Sequence, residues 1–139
     1  MRGLNGRSAV VTGGARGLGK AAAERLASEG VSIAIIDLRL DEASQVANSI
    51  GGFAFEADTT DEAQLINAIN NAASSLNGID ILINNAGLIA PRKDWQSWTK
   101  KDLEKFAEVN YIGYFLAIKA AHPYLKASGN GRIINVASR

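Results

Sequence analysis

Short runs of β-branched and apolar residues alternate along this chain with longer stretches whose apolar positions recur every three or four residues. Residues 8–12 (SAVVT) have the continuous apolar character of a buried strand. A glycine-rich turn follows at 13–19, and residues 17–29 predict a helix with Leu18, Ala22, Leu26 and Ala27 on one face and Gly30 as its stop. Residues 31–36 predict a second buried strand, 41–50 a helix closed by Gly51 and Gly52, and 53–57 a third, shorter strand. Thr60 or Asp61 caps the next helix, whose core face is Leu65, Ile66 and Ile69 and whose end is Asn77-Gly78. Residues 79–83 make a fourth strand, and 88–99, with Pro91, Trp95 and Trp98, read as irregular. A long helix opens at Thr99 or Lys100 and runs to about residue 121, where Pro123 disturbs it. Beyond the turn Gly129-Asn130-Gly131, residues 132–137 (RIINVA) predict a fifth strand.

Strands joined by helical crossovers form a parallel sheet with helices on both faces, because such crossovers are right-handed. The expected fold is therefore α/β, a doubly wound parallel sheet, in one domain spanning 1–139. A net charge of +1 gives no electrostatic case for nucleic acid or an anionic membrane surface, and no apolar run is long enough to span a bilayer. With no cysteine there are no disulfides, thiolate ligands or cysteine nucleophiles, and the single His122 cannot build a histidine metal site, so no metal is expected. A reducing, cytoplasmic setting fits that composition, and the N-terminal MRGLNG is not a signal peptide.

The turn Thr12-Gly13-Gly14-Ala15-Arg16-Gly17-Leu18-Gly19 lies between the first strand and the first helix. A helix N-terminus presents free amides and partial positive charge, which suit a pyrophosphate, and glycine lets the backbone turn and a ligand approach. Gly13 would make the tight turn, Gly17 the close approach and Gly19 the helix–strand contact, in a G-x-x-x-G-x-G spacing that differs from the G-x-G-x-x-G fingerprint. Asp37 ends the second strand about twenty residues farther on, where a carboxylate would accept from the adenosine ribose hydroxyls and repel a 2′-phosphate. That favours NAD over NADP, although Arg16 and Arg39 lie near enough in sequence to attract such a phosphate.

Thr12 to Gly19, Asp58, Asn84-Asn85-Ala86-Gly87, Asn110 and the terminal Asn135-Val136-Ala137-Ser138 together resemble the short-chain dehydrogenases/reductases, over the whole chain. The resemblance implies a Rossmann-type sheet in the order 3-2-1-4-5 and a dinucleotide site. Gly13, Ala15, Arg16, Gly17, Leu18 and Gly19 would come from the turn, and Asp37 and Leu38 from the second strand's end. Asp58 and Thr59 would follow the third strand, with Asp58 meeting the adenine amino group, and Asn85, Ala86 and Gly87 would lie beside the cofactor ribose. It also implies that Asn110 supports a proton-relay water and that Ser138 holds the substrate oxygen. The residues themselves leave plainer roles open: Asp58 can cap a turn before Thr59-Thr60, Asn84 and Asn85 can satisfy backbone at a strand end, and Asn110 can accompany a helix kink.

The family's chemistry also uses a tyrosine and a lysine spaced Y-x-x-x-K after the serine. Here Tyr111, Tyr114 and Tyr124 are followed four residues on by Phe115, Ile118 and Ser128. The expectation is the N-terminal portion of a longer NAD-dependent oxidoreductase that transfers hydride between a nicotinamide cofactor and a small alcohol or carbonyl substrate. The portion alone would be inactive, its C-terminal strands missing and its fifth strand an apolar edge, while the full-length form would be a homodimer or homotetramer. A non-catalytic dinucleotide-binding module or remnant is the alternative. A flavodoxin-like phosphate binder would share the sheet but explain neither Asp37 nor Asn84 to Gly87.

Overall fold

The computed structural model describes residues 3–137. Five parallel strands, β1 (Ser8–Thr12), β2 (Ser32–Asp37), β3 (Phe53–Glu56), β4 (Ile81–Asn84) and β5 (Arg132–Asn135), lie in the order β3-β2-β1-β4-β5. This is the predicted order. β1 is central: Ser8↔Ser32 through Thr12↔Ile36 pair it with β2, and Ala9↔Ile81 through Val11↔Ile83 with β4.

Side chains alternate across a strand, so each strand feeds two cores. Val10, Ala34, Ile36 and Leu82 face α3 (Glu62–Leu76) and α5 (Gly113–Ala127), which contribute Leu65, Ile69, Ala117, Ala121 and Leu125. Val11, Ile33, Ile35 and Ile83 face α1 (Gly17–Ser28) and α2 (Leu40–Ser49), through Ala23, Ala43, Val46 and Ala47. Because all strands run the same way, Thr12, Asp37, Glu56, Asn84 and Asn135 end on one edge of the sheet, where α/β folds place their ligands. No helix among the described residues is long and apolar enough to cross a membrane.

Several local expectations are corrected. Leu18 is 72% exposed rather than on the core face of α1. Gly19 and Ala23, one helical turn apart, are the buried contact, and Ala22 and Leu26 of the expected face pack against the core, while Leu18, in the first turn, stands at the open end of the helix. Ile66 likewise stands outside the buried stripe Leu65, Ala68, Ile69, Ala72 and Ala73 of α3. The long helix begins as α4 (Lys100–Ala107), passes through a π-helical segment (Glu108–Ile112) and continues as α5 to Ala127, beyond the expected stop. Pro123, which lacks an amide to donate, sits on the exposed side of the helix while Ala117, Ala121 and Leu125 stay buried. The fourth strand starts at Ile81, and the fifth ends at Asn135 rather than 137.

Candidate functional site

β1 ends at Thr12, and the chain reverses at Gly13, whose φ of 66° belongs to the left-handed region. A Cβ on Gly13 would lie 2.7 Å from the Ala86 Cα, and one on Gly19 would run into the Gly13 carbonyl and the Asn85 side chain. Those two glycines let α1 and the strand ends close together. Gly17, at φ 55°, is different: a Cβ there would meet nothing within 4 Å, so its front is open. α1 has no acid in its first turn, and its N-cap, Arg16, makes no side-chain cap hydrogen bond. By contrast, Asp61 caps α3 and Thr99 caps α4. The amides at the start of α1 thus face open space with the positive end of the helix dipole behind them, an arrangement that fits phosphate oxygens.

A hydrogen-bonded node anchors that turn to β4. The buried Thr12 hydroxyl accepts from the amides of Asn85 (3.0 Å) and Ala86 (3.1 Å). The Asn85 side-chain amide donates to the carbonyls of Gly13 (2.9 Å) and Thr12 (3.1 Å). Next to it, Asn84 is wholly buried and donates to Asn135 Oδ1 at 2.9 Å, bonding the ends of β4 and β5. The first asparagine therefore braces the sheet, and the second braces the turn.

Asp37 is only 6% exposed. Its Oδ2 accepts from the Ala15 amide at 3.1 Å and its Oδ1 from the Arg39 amide at 3.0 Å, so the carboxylate is held at the strand end by backbone on both sides. Asp58 accepts from the Thr60 amide and hydroxyl at 2.8 and 2.7 Å, and the turn-capping geometry is present.

A cavity of about 420 Å³ opens along this edge of the sheet. It gathers Gly13, Arg16 and Gly17 from the turn, Asp37 from the end of β2 and Leu38 after it, Asp58 and Thr59 after β3, and Asn85, Ala86 and Gly87 after β4. Ala15, Leu18 and Gly19 do not line it: Ala15 is buried against Asp37, Gly19 packs beneath the turn, and Leu18 points to solvent.

Asn110 lies in the π-helical segment and is engaged by Leu88, accepting from its amide at 2.7 Å and donating to its carbonyl at 3.0 Å. Tyr114 donates to the Val136 carbonyl at 3.0 Å, and burial pushes its phenol pKa up. Ser138 lies outside the described residues.

Residues 7–139 match the family model of the short chain dehydrogenases. The chain belongs to the short-chain dehydrogenase family. It is 42% identical to 2,5-dichloro-2,5-cyclohexadiene-1,4-diol dehydrogenase LinX of Sphingobium indicum, across 97% of this chain and 56% of that protein. It is 39% identical to L-2,3-butanediol dehydrogenase of Corynebacterium glutamicum, across 94% of this chain and 53% of that one. The crystal structure of 3-ketoacyl-(acyl-carrier-protein) reductase from Brucella melitensis complexed with NADH superposes with a TM-score of 0.92 at 33% identity, covering 97% of this chain and 58% of that one. The chain spans about half the length of the relatives it matches.

In this short-chain dehydrogenase chain the cavity also has walls that sequence reasoning did not assign to it. Ile36 and Ala57 come from the sheet side, Leu88, Ile89 and Val109 from the other, and Arg39 stands beside Asp37. Ile36 and Ala57 immediately precede the assigned Asp37 and Asp58, and that adjacency was the signal available for them. Val109 is brought in only by the helix that crosses the edge, and no local pattern marks it.

Proposed function

We propose that the protein containing this chain is an NAD-dependent oxidoreductase acting on a small alcohol or carbonyl substrate. The observation that carries the reading is the uncapped start of α1, open in front of Gly17, at a cavity that also contains Asp37. Amides there suit the diphosphate of a dinucleotide, and Asp37, fixed by Ala15 and Arg39, suits the hydroxyls of an adenosine ribose. Ile89 and Val109 offer apolar contact to the flat faces of such a ligand. When bound, a nicotinamide cofactor supplies the hydride acceptor or donor. Asn85 and Thr12 keep the turn in place, and Asn110 keeps the Leu88 segment at the cavity wall. Ser138 is our candidate for holding the substrate oxygen. The relatives named as diol dehydrogenases, and the 3-ketoacyl-(acyl-carrier-protein) reductase solved with NADH, support the class of reaction and cofactor.

The test is titration of the full-length protein with NADH, followed by fluorescence. Binding is expected, with loss in Gly17→Val, where a branched side chain stands before the amides. Asp37→Ala should weaken NADH and raise the relative affinity for NADPH. No uptake by the folded full-length protein would end the cofactor reading, and an unmoved ratio in Asp37→Ala would remove Asp37 as ribose acceptor.

A further inference from the structure

Two guanidinium groups, Arg16 and Arg39, stand at the cavity beside Asp37. Each is a ready partner for a phosphate on the adenosine ribose. Neither is free. Arg16 makes a two-pronged pair with Glu42, Nε to Oε2 at 2.9 Å and a terminal nitrogen to Oε1 at 2.8 Å. Arg39 Nε lies 3.6 Å from the same Glu42 Oε1 and 3.9 Å from Asp37 Oδ1. Glu42 itself does not line the cavity; it sits in the first turn of α2, where the helix dipole favours a carboxylate.

We infer that Glu42 is a specificity-determining residue of this site, holding both arginines so that they do not recruit a 2′-phosphorylated dinucleotide. The inference rests on the dinucleotide reading above. The four side chains at this corner balance in charge with Glu42 in place. Without it, Arg16 keeps its place at the cavity but loses its carboxylate fork, and the corner turns positive. Asp37 is then the carboxylate left beside Arg39, and Arg16 has lost the one it was paired with. The Asp37 carboxylate already accepts from two backbone amides, so it cannot turn to replace Glu42 on Arg16 without giving one of them up. Arg16, Arg39 and Glu42 are all about half exposed, so the effect is screened and moderate, and it should depend on salt.

The experiment measures NADPH and NADH dissociation constants of the full-length protein by fluorescence titration, for wild type, Glu42→Gln and Glu42→Ala, at low and high salt. The expected result is a shift of the NADPH-to-NADH affinity ratio toward NADPH by roughly three- to tenfold at low salt, shrinking at high salt. Adding Arg16→Gln to Glu42→Gln should reverse most of that shift, which a general loss of α2 stability would not do. Wild type that binds NADH, with a ratio unmoved in both Glu42 variants, overturns the assignment of Glu42 alone. Wild type that already prefers NADPH overturns it too, since the arginines are then not restrained. Wild type that takes up neither dinucleotide overturns this inference together with the reading beneath it.

Discussion

Asn110 grips the backbone of Leu88 at both ends of its amide, accepting from the Leu88 N–H and donating to the Leu88 carbonyl. It does for the segment after β4 what a neighbouring strand would do, and it reaches that segment from a π-helical turn 22 residues later. Replacing Asn110 by alanine removes both bonds, at a cost of about 1–2 kcal/mol for groups this exposed. The Leu88 amide should lose its protection in hydrogen exchange, and NADH affinity should fall several-fold because Leu88 and Ile89 line the cavity. A Leu88 amide that exchanges at the wild-type rate would show that the grip does not persist in solution.

Gly17 and Gly19 should separate binding from folding. An alanine at Gly17 clashes with nothing but takes up a left-handed backbone, costing about 1–2 kcal/mol. An alanine at Gly19 keeps an ordinary helical backbone but drives its methyl into the Gly13 carbonyl and the Asn85 amide, costing about 1–3 kcal/mol or more in overpacking. Denaturant unfolding of the two variants beside NADH titration is the measurement. Gly17→Ala should lose more affinity than stability, and Gly19→Ala should lose both.

Thr12 should tolerate serine and not valine. Its hydroxyl accepts from the Asn85 and Ala86 amides, and valine copies its shape while leaving both donors unpaired in a half-buried place. The loss should be about 2–4 kcal/mol for Thr12→Val and within about 1 kcal/mol for Thr12→Ser, read from thermal or denaturant unfolding. Equal stability of the two variants would deny the hydroxyl its role.

Asp102 supplies a pH dependence with a definite sign. The Thr99 amide and hydroxyl, and then Lys93, hold its carboxyl down from 3.8 to about 2. A depressed folded-state pKa means that its contribution to α4 is complete above 3.8 and disappears as the pH falls through about 2. Carbon-detected NMR titration of the Asp102 carboxyl should give a midpoint near 2, and α4 amide shifts in Asp102→Asn should no longer follow pH across that interval. A midpoint near 4 would mean that the Thr99 capping box is open in solution.

A parallel sheet covered on both sides was legible because the runs in 8–12, 31–36 and 79–83 are mostly apolar, as doubly covered strands are, whereas the order of the strands came from the family resemblance. Residues at strand ends and in the glycine turn were legible for the same reason: their place follows from where the runs stop. Burial of Leu18 and Ile66 was misjudged because hydropathy marks an apolar face without saying which of its residues the neighbouring elements reach. The reach of α5 past Pro123 depends on which side faces water, a property of packing. The π-helical turn at Asn110 and the partnership of Arg16 with Glu42 join residues through space, and one-dimensional pattern carries no trace of either.

The central position of β1 sets a timetable for synthesis. Translated ahead of the other four strands, Ser8–Thr12 meets its β2 neighbour early, but its other flank stays bare until Ile81–Asn84 have been translated. The Ser8 amide waits for its Asp80 carboxylate across 72 residues. Nascent protein therefore carries an exposed, β-branched strand flank through most of this domain's elongation. Slower decoding ahead of β4 would lengthen that vulnerable interval and raise the demand for chaperones.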